Sequence, residues 1–428
     1  MSRSQPNVIL LSIDALRADH VSCYGYHRST SPRLDAVADG GVRFEHAYSP
    51  SSHTREAVPA LVTGRYPDQV TSGDFELTEP TVAAPLREAG YATGAFHSNP
   101  FISRGFGFDT DFDRFYDDLR VGRHRYLALA ERALDKLFDR HYARAEDINR
   151  TSLEWIESLR DDRPFFLWNH YMDVHGPYEP PRSYQTEFRD GPVGRRRAKR
   201  LYRKAVSDAE EVTAAEHELL VDLYDAEIRY LDEQLGALLD ELDRRSLLEE
   251  TLVLITADHG DAFREHGYYE HPRRVHDELI HVPLLVSAPA VRSTTCDQFV
   301  STLDVVPTVL GFAGEAAEGF PGASLFEQLR ASERDASRLV FSQATGEGSD
   351  GGTVRFAARG DGERHYAGRD LDSHDLVQVS TEAGTERARS EIVAHSLERV
   401  RGIEPTDGDL DGVDSEVASR LEGLGYLE

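Results

Sequence analysis

Short, unbroken apolar runs recur along the chain at wide intervals. Residues 7–13 (NVILLSI) and 251–257 (TLVLITA) are apolar at both phases of a two-residue period, the signature of a strand buried on both faces. Residues 91–96 (YATGAF), 164–168 (PFFLW) and 281–287 (HVPLLVS) repeat the theme, and 42–44 reads as a further strand. Between them the period changes. Leu220, Tyr224, Ile228, Leu231, Leu235 and Leu238 fall at helical spacing within 218–242, which predicts a core-facing helix feeding the 251–257 strand. Ser31 and Pro32 open a short helix, with Ser31 as its cap, and Gly40-Gly41 ends it. A small polar loop at 49–53 turns into a helix near Arg55 that stops at Gly64, and 301–308 starts another. Strands alternating with helices predict an α/β fold with a mostly parallel central sheet flanked by helices. From about Gly322 the pattern becomes short strands at 339–343, 354–359, 363–367 and 376–379 with glycine-rich turns, then a helix at 416–424. The expected division is a large α/β domain over 1–321 and a small C-terminal antiparallel α+β subdomain over 322–428 packed on it. Residues 120–150 read as charged and helical, with no legible chemistry.

The polar residues that end these runs matter most. The first run stops at Asp14 and the later one at Asp258-His259-Gly260. In open α/β sheets ligands bind beyond the carboxyl ends of the strands. If the two strands are parallel neighbours, Asp14, Asp258 and His259 converge, and a cation between them is the economical way to keep two buried carboxylates. The plainer reading is a polar turn punctuated by Gly260. Thr54 stands where the 49–53 loop becomes helix, facing unpaired N–H groups and the positive end of the dipole. That suits a nucleophile attacking an anionic ester; the plainer reading is an ordinary threonine N-cap.

Charge alters the picture of the surface. The 428 residues carry a net charge of -28, and of 48 basic residues only three are lysine, at 136, 199 and 204. An acid-rich, lysine-poor surface is of the salt-adapted, haloarchaeal kind, so the charge reports the solvent. It also argues against nucleic acid as a partner, which needs a basic footprint. The basic island at 191–204 reads as a solvated insertion helix or as a hold for an anionic polymer or head group. Cys23 and Cys296 have no CxxC spacing, so neither a zinc knuckle nor a disulfide framework is indicated. No apolar leader precedes the first strand and no stretch is long enough to span a bilayer, so the expected location is cytoplasmic.

A series of motifs, in order, carries a family resemblance: PNVILLSIDALRADHVSCYGY, LVTGRYP, YATGAFHSNPF, YMDVHGPY, YDAEIRYLDEQLGALLDEL, TADHGDAFREHG and VASRLEGLGYLE. Together they resemble the sulfatase family of the alkaline phosphatase superfamily from end to end. The resemblance implies a divalent metal (Ca, Mg, Mn or Zn) held by Asp14, Asp258, His259 and the hydroxyl of Thr54. It implies Thr54 as nucleophile, ten residues before Gly64, with His175 and His271 assisting. Asn99, His97 and Arg55 are implied as substrate contacts. A second metal using Asp173, His175 or His271 is left open. Two departures stand out. Formylglycine sulfatases have Cys or Ser in a Cys-x-Pro-x-Arg context, whereas here it reads Thr54-Arg55-Glu56-Ala57-Val58, so no formylglycine is expected. Ile13 stands where many sulfatases have a second Asp. The threonine resembles instead the phosphodiesterases, phosphonate hydrolases and phosphoglycerol or phosphoethanolamine transferases of the superfamily. The expected function is metal-dependent hydrolysis of sulfate or phosphate-type esters through a covalent Thr54 intermediate. The alternatives are one of those transferases or phosphonate hydrolases, or an inactive anion-binding relative. The expected substrate is a small anionic ester, a sulfated or phosphorylated glycan, or a lipid head group.

Overall fold

The computed structural model describes residues 5–72, 75–118, 142–159, 163–289, 291–330, 335–346 and 351–403. Eight strands form the central sheet: β1 (Asn7–Ile13), β2 (Val42–Tyr48), β3 (Ala92–Phe96), β4 (Arg114–Tyr116), β5 (Phe165–Tyr171), β6 (Thr251–Ala257), β9 (Leu284–Ser287) and β10 (Thr294–Ser301). A two-residue hairpin, β7 (Ala262–Phe263) with β8 (Tyr269–Glu270), hangs beyond β6. The sheet order is β10-β2-β9-β6-β1-β5-β3-β4. Every neighbouring pair is parallel except those of β9, which runs antiparallel to both β2 and β6.

Alternate residues of the inner strands face opposite cores, which is why these strands read as continuous apolar runs. Ile9, Leu11, Ile13, Val253 and Ile255 pack under the helices Ala145–Ser158 and Ala214–Arg244. Val8, Leu10, Leu252 and Leu254 pack with Val58, Leu61 and Val62 of the Thr54–Thr63 helix and with Val305, Val306 and Val309. The long helix begins four residues before the predicted one. Thr213 and Glu216 form a capping box, a Thr-x-x-Glu signal that precedes the apolar stripe. The helix Pro32–Gly40 starts as predicted, but Ser31 does not cap it. Its hydroxyl is engaged by Ser22, and the Asp232 carboxylate accepts from the Arg33 and Leu34 amides instead. The predicted strand at 281–287 is shorter, because Pro283 has no amide to give a ladder. β4 and β10 had no apolar run to announce them. The basic island forms the helix Arg195–Ser207. Among the described residues no helix is long and apolar enough to cross a membrane.

The C-terminal part is a four-stranded antiparallel sheet, β11 (Val340–Thr345), β12 (Thr353–Gly360), β13 (Glu363–Asp370) and β14 (Leu376–Ala383), covered by the helix Glu386–Val400. It docks beside the Ser49–Ser51 loop, where the Ser342 hydroxyl donates to the Ser49 carbonyl. The predicted helix at 416–424, and most of the charged segment at 120–150, lie outside the described residues.

One contact in this unit should make stability depend on acid. His395 stacks on Phe341 with ring centroids 4.1 Å apart. Burial, reinforced by Arg399, holds its imidazole down at about 3 against an ordinary 6.5. The unfolded chain then takes a proton that the folded state refuses. Stability is therefore intact above the unfolded value of 6.5 and falls as pH drops toward about 3. In urea melts, His395→Phe is expected to remove on the order of 2 kcal/mol of the loss between pH 7 and about 4.5. An unchanged pH slope would exclude His395 as its source.

Candidate active site

Register builds the site. Ile13 pairs with Ala257 on one side and Tyr171 on the other, so the residues that follow emerge together from the carboxyl edge of β1, β5 and β6. The Asp14 amide donates to the Tyr171 carbonyl at 2.8 Å and the Asp258 amide to the Ile13 carbonyl at 3.2 Å. Ala15 then turns in the left-handed region at φ 59°. The Tyr224 hydroxyl, donating to the Ala15 carbonyl at 2.7 Å, and the Asp258 carboxylate, accepting from the Ala15 amide at 3.3 Å, hold that strained turn.

Asp14, Asp258 and His259 are buried, and one donor atom from each lies within 4.8 Å of the others. His259 Nε2 is 3.5 Å from Asp14 Oδ1 and 3.7 Å from Asp258 Oδ2. Neither carboxylate oxygen has a hydrogen-bond partner among the described residues. Two orphaned buried oxygens facing one imidazole nitrogen are the donor set of a divalent cation, so the residues fit the metal that the resemblance implies. Burial and the neighbouring Asp14 raise Asp258. Burial also works on Asp14, yet His175, His170 and His259 outweigh it and lower that carboxyl. Burial and the neighbouring histidines hold the His259 pKa down at about 4, so the ring is neutral near pH 7, the form that can ligate.

Thr54 reaches this group. The helix Thr54–Thr63 is capped by His53, whose ring accepts from the Arg55 amide, and not by the threonine. Relieved of capping, the Thr54 hydroxyl lies 3.1 Å from His259 Nε2. His271 packs beside His259, ring centroids 4.5 Å apart, and His175 beside His271 at 5.0 Å. His175 Nδ1 donates to the Gly176 carbonyl at 2.6 Å, which fixes the ring's orientation beside His271. Burial disfavours the charged form of His175, but the carboxylates of Asp14, Asp261 and Glu270 win and raise it. His271 is pressed down to about 4 by burial and by His259.

Other predicted contacts take places within the protein. The Asn99 amide donates to Asp14 Oδ2 at 2.7 Å while its oxygen accepts from the Phe101 amide, so Asn99 orients a ligand carboxylate. The His97 ring sits among Phe115 and Trp168, apart from the histidine cluster. The Arg55 guanidinium lies over Phe75 and Phe101, 4.6 and 4.2 Å from the ring centroids. Asp173 is bound by the Arg144 guanidinium at 2.7 Å and by the Ala145 amide at 3.0 Å, which removes it from any second-metal role.

Sequence reasoning did not single out three groups. His170, one residue before the β5 terminus, aims Nε2 at Asp14 Oδ2 from 3.4 Å, its Nδ1 engaged by Ser12. Asp261 accepts from the Tyr178 hydroxyl and lies 3.5 Å from His271 Nδ1. His53 is the cap that frees Thr54. The three-residue spacing from Asp258 to Asp261 was visible in the sequence; the other two depend on strand order and helix phase.

A carboxylate–imidazole cradle beside a helix-terminal hydroxyl, on the edge of this sheet, defines an ester hydrolase with the alkaline-phosphatase-like fold. The chain belongs to the sulfatase family of that superfamily: the family profile, described as "Sulfatase", matches residues 6–315. A choline-sulfatase of Rhizobium meliloti is 24% identical over 384 residues, covering 79% of this chain and 74% of the relative. A protein solved in complex with its substrate D-glucosamine-2-N,6-O-disulfate superposes with a TM-score of 0.72 at 17% identity, over 95% of this chain and 100% of the other. The phosphonate monoester hydrolase of Agrobacterium radiobacter gives 0.69 at 18%, over 98% and 95%. At these identities the structural likenesses speak for the fold.

Proposed function

We propose that the chain hydrolyses phosphoric- or phosphonic-type esters through a covalent Thr54 intermediate, without formylglycine. The observation that carries this reading is the Thr54 hydroxyl, uncapped and 3.1 Å from His259 Nε2. A divalent metal held by Asp14, Asp258 and His259 would lower the pKa of that hydroxyl and offset the charge of the ester.

The chain's own residues supply the rest. Thr54 Oγ1 attacks the phosphorus in line, and the bond to the departing alcohol breaks as the bond to threonine forms. His175, raised in pKa and packed beside His271, delivers a proton to the leaving oxygen. Neutral His271 presents an N–H to the nonbridging oxygens. Water then cleaves the threonine ester, which a hydrated aldehyde would instead release by eliminating across its own carbon. The family name and the relatives' names keep sulfate esters, glycan sulfates included, as the competing substrates.

A turnover panel in concentrated salt with several divalent metals tests this. Phosphodiesters or phosphonates are expected to exceed sulfate monoesters in kcat/KM. Faster sulfate-ester turnover would overturn the choice of phosphorus.

A further inference from the structure

The loop that carries His271 is gathered at both ends by a second histidine cluster. His266 and His276 lie five residues before and after His271. Their rings stack with centroids 3.8 Å apart. Glu278 Oε1 lies 3.5 Å from His266 Nε2 and 3.8 Å from His276 Nδ1. One donor atom from each residue falls within 4.8 Å of the others. Tetrahedral zinc, with bonds of about 2.0–2.1 Å, sets its ligand atoms about 3.3 Å apart. The two separations to the Glu278 oxygen approach that value before any ion is bound. The Tyr268 hydroxyl already bridges His276 Nδ1 (2.6 Å) and Glu278 Oε1 (3.2 Å), which marks the space between them as a polar position.

We propose that His266, His276 and Glu278 form a second divalent-metal site, of zinc type, separate from the Asp14–Asp258–His259 cradle. Two imidazoles and one carboxylate suit zinc better than calcium or magnesium, which prefer oxygen. Of the nearby arginines, Arg17 pairs with Asp19 and Glu265 and Arg359 with Asp277. Arg274 adds positive charge beside His276 and helps keep its imidazole neutral, the form that can ligate. Glu278 itself is only 9% exposed, whereas the His266 side chain is 47% exposed. The ion therefore enters from solvent past His266, and water completes its coordination.

The site would act as a clip. Joining residues 266 and 276 closes the loop whose midpoint is His271 and removes much of its conformational freedom. The clip is also tied to the catalytic strand end. The Gly260 amide donates to the Leu279 carbonyl at 2.8 Å, and a Cβ at Gly260 would come within 2.2 Å of the Glu278 carbonyl oxygen. Only the consequence for His271 rests on the proposed hydrolase reading; the metal site does not.

Equilibrium dialysis of the full chain against zinc tests the site. The parent is expected to bind two zinc ions, and His266→Ala and His276→Ala one each. Asp258→Asn is expected to lose the other ion and keep this one, and Thr54→Ala to keep both. Cobalt substitution should give a tetrahedral visible band in the parent that His266→Ala lacks, with circular dichroism confirming that this half-exposed change leaves the fold intact. If His266→Ala and His276→Ala bind as many zinc ions as the parent, the site does not exist.

Discussion

Thr54→Ala is expected to lower turnover by at least about 10³-fold, because covalent catalysis is lost while the metal cradle stays. The fold should survive. The side chain gives up its hydrogen bond to His259, at about 1 kcal/mol, and the helix keeps its His53 cap. Thr54→Ser should retain most of the activity, since it keeps the hydroxyl at the same helix position. Intact-mass analysis of the parent, quenched during turnover, should place a phosphoryl adduct on the peptide containing Thr54. The nearby Ser51 is a weaker alternative, as its hydroxyl is bound to Glu56 at 2.5 Å. Ser52 is buried, with no hydrogen-bond partner among the described residues, and is the more serious one. An adduct on either serine, or near-parental turnover in Thr54→Ala, would refute the assigned nucleophile.

Asp258→Asn should abolish productive metal binding and yet stabilise the metal-free protein. Losing a ligand should exceed the about 10–100-fold affinity cost of losing only an outer hydrogen-bond partner. The stability effect has the opposite sign. Asp258 is buried beside Asp14, and its carboxyl is raised by that burial and that neighbour. Stability of the metal-free parent is therefore fuller where Asp258 holds its proton and falls as pH rises through its raised value. Asparagine removes the charge and can still accept from the Ala15 and His259 amides, as Asp258 Oδ1 does. In chelator, the variant should melt higher than the parent at pH 8, with the gap closing toward pH 5. A variant that melts lower at pH 8 would mean that the carboxylates do not share one unscreened cavity.

Much of this site was legible because buried parallel strands write themselves plainly. Asp14 and Asp258 each end a seven-residue apolar run, and equal run lengths with equal endings imply equal heights on neighbouring strands. The long helix and the glycine stop of the Thr54–Thr63 helix were equally plain. What stayed hidden depends on partners distant in sequence. Asn99 turns to Asp14, and Asp173 to Arg144, because of how loops cross the sheet edge. Ser31 lost its capping role to Asp232 of the long helix. His170 is a site neighbour only because β5 lies next to β1, and strand order leaves no mark within a single strand.

The cradle has no hinge of its own. Its two carboxylates are set by amides that belong to the sheet's own ladder, Asp14 to Tyr171 and Asp258 to Ile13. Slipping β1 by one residue against β6 would shift Asp14 by about 3.3 Å and turn it to the opposite face. The spacing of the metal ligands can thus be altered only by rebuilding the core, never by adjusting a loop. Variation in what this scaffold cleaves falls instead to the parts that lie outside that ladder: the helix start at Thr54, the loop bearing His271 and the neighbouring C-terminal sheet. The sheet fixes where a cation can sit, and those three parts are left to decide which ester meets it.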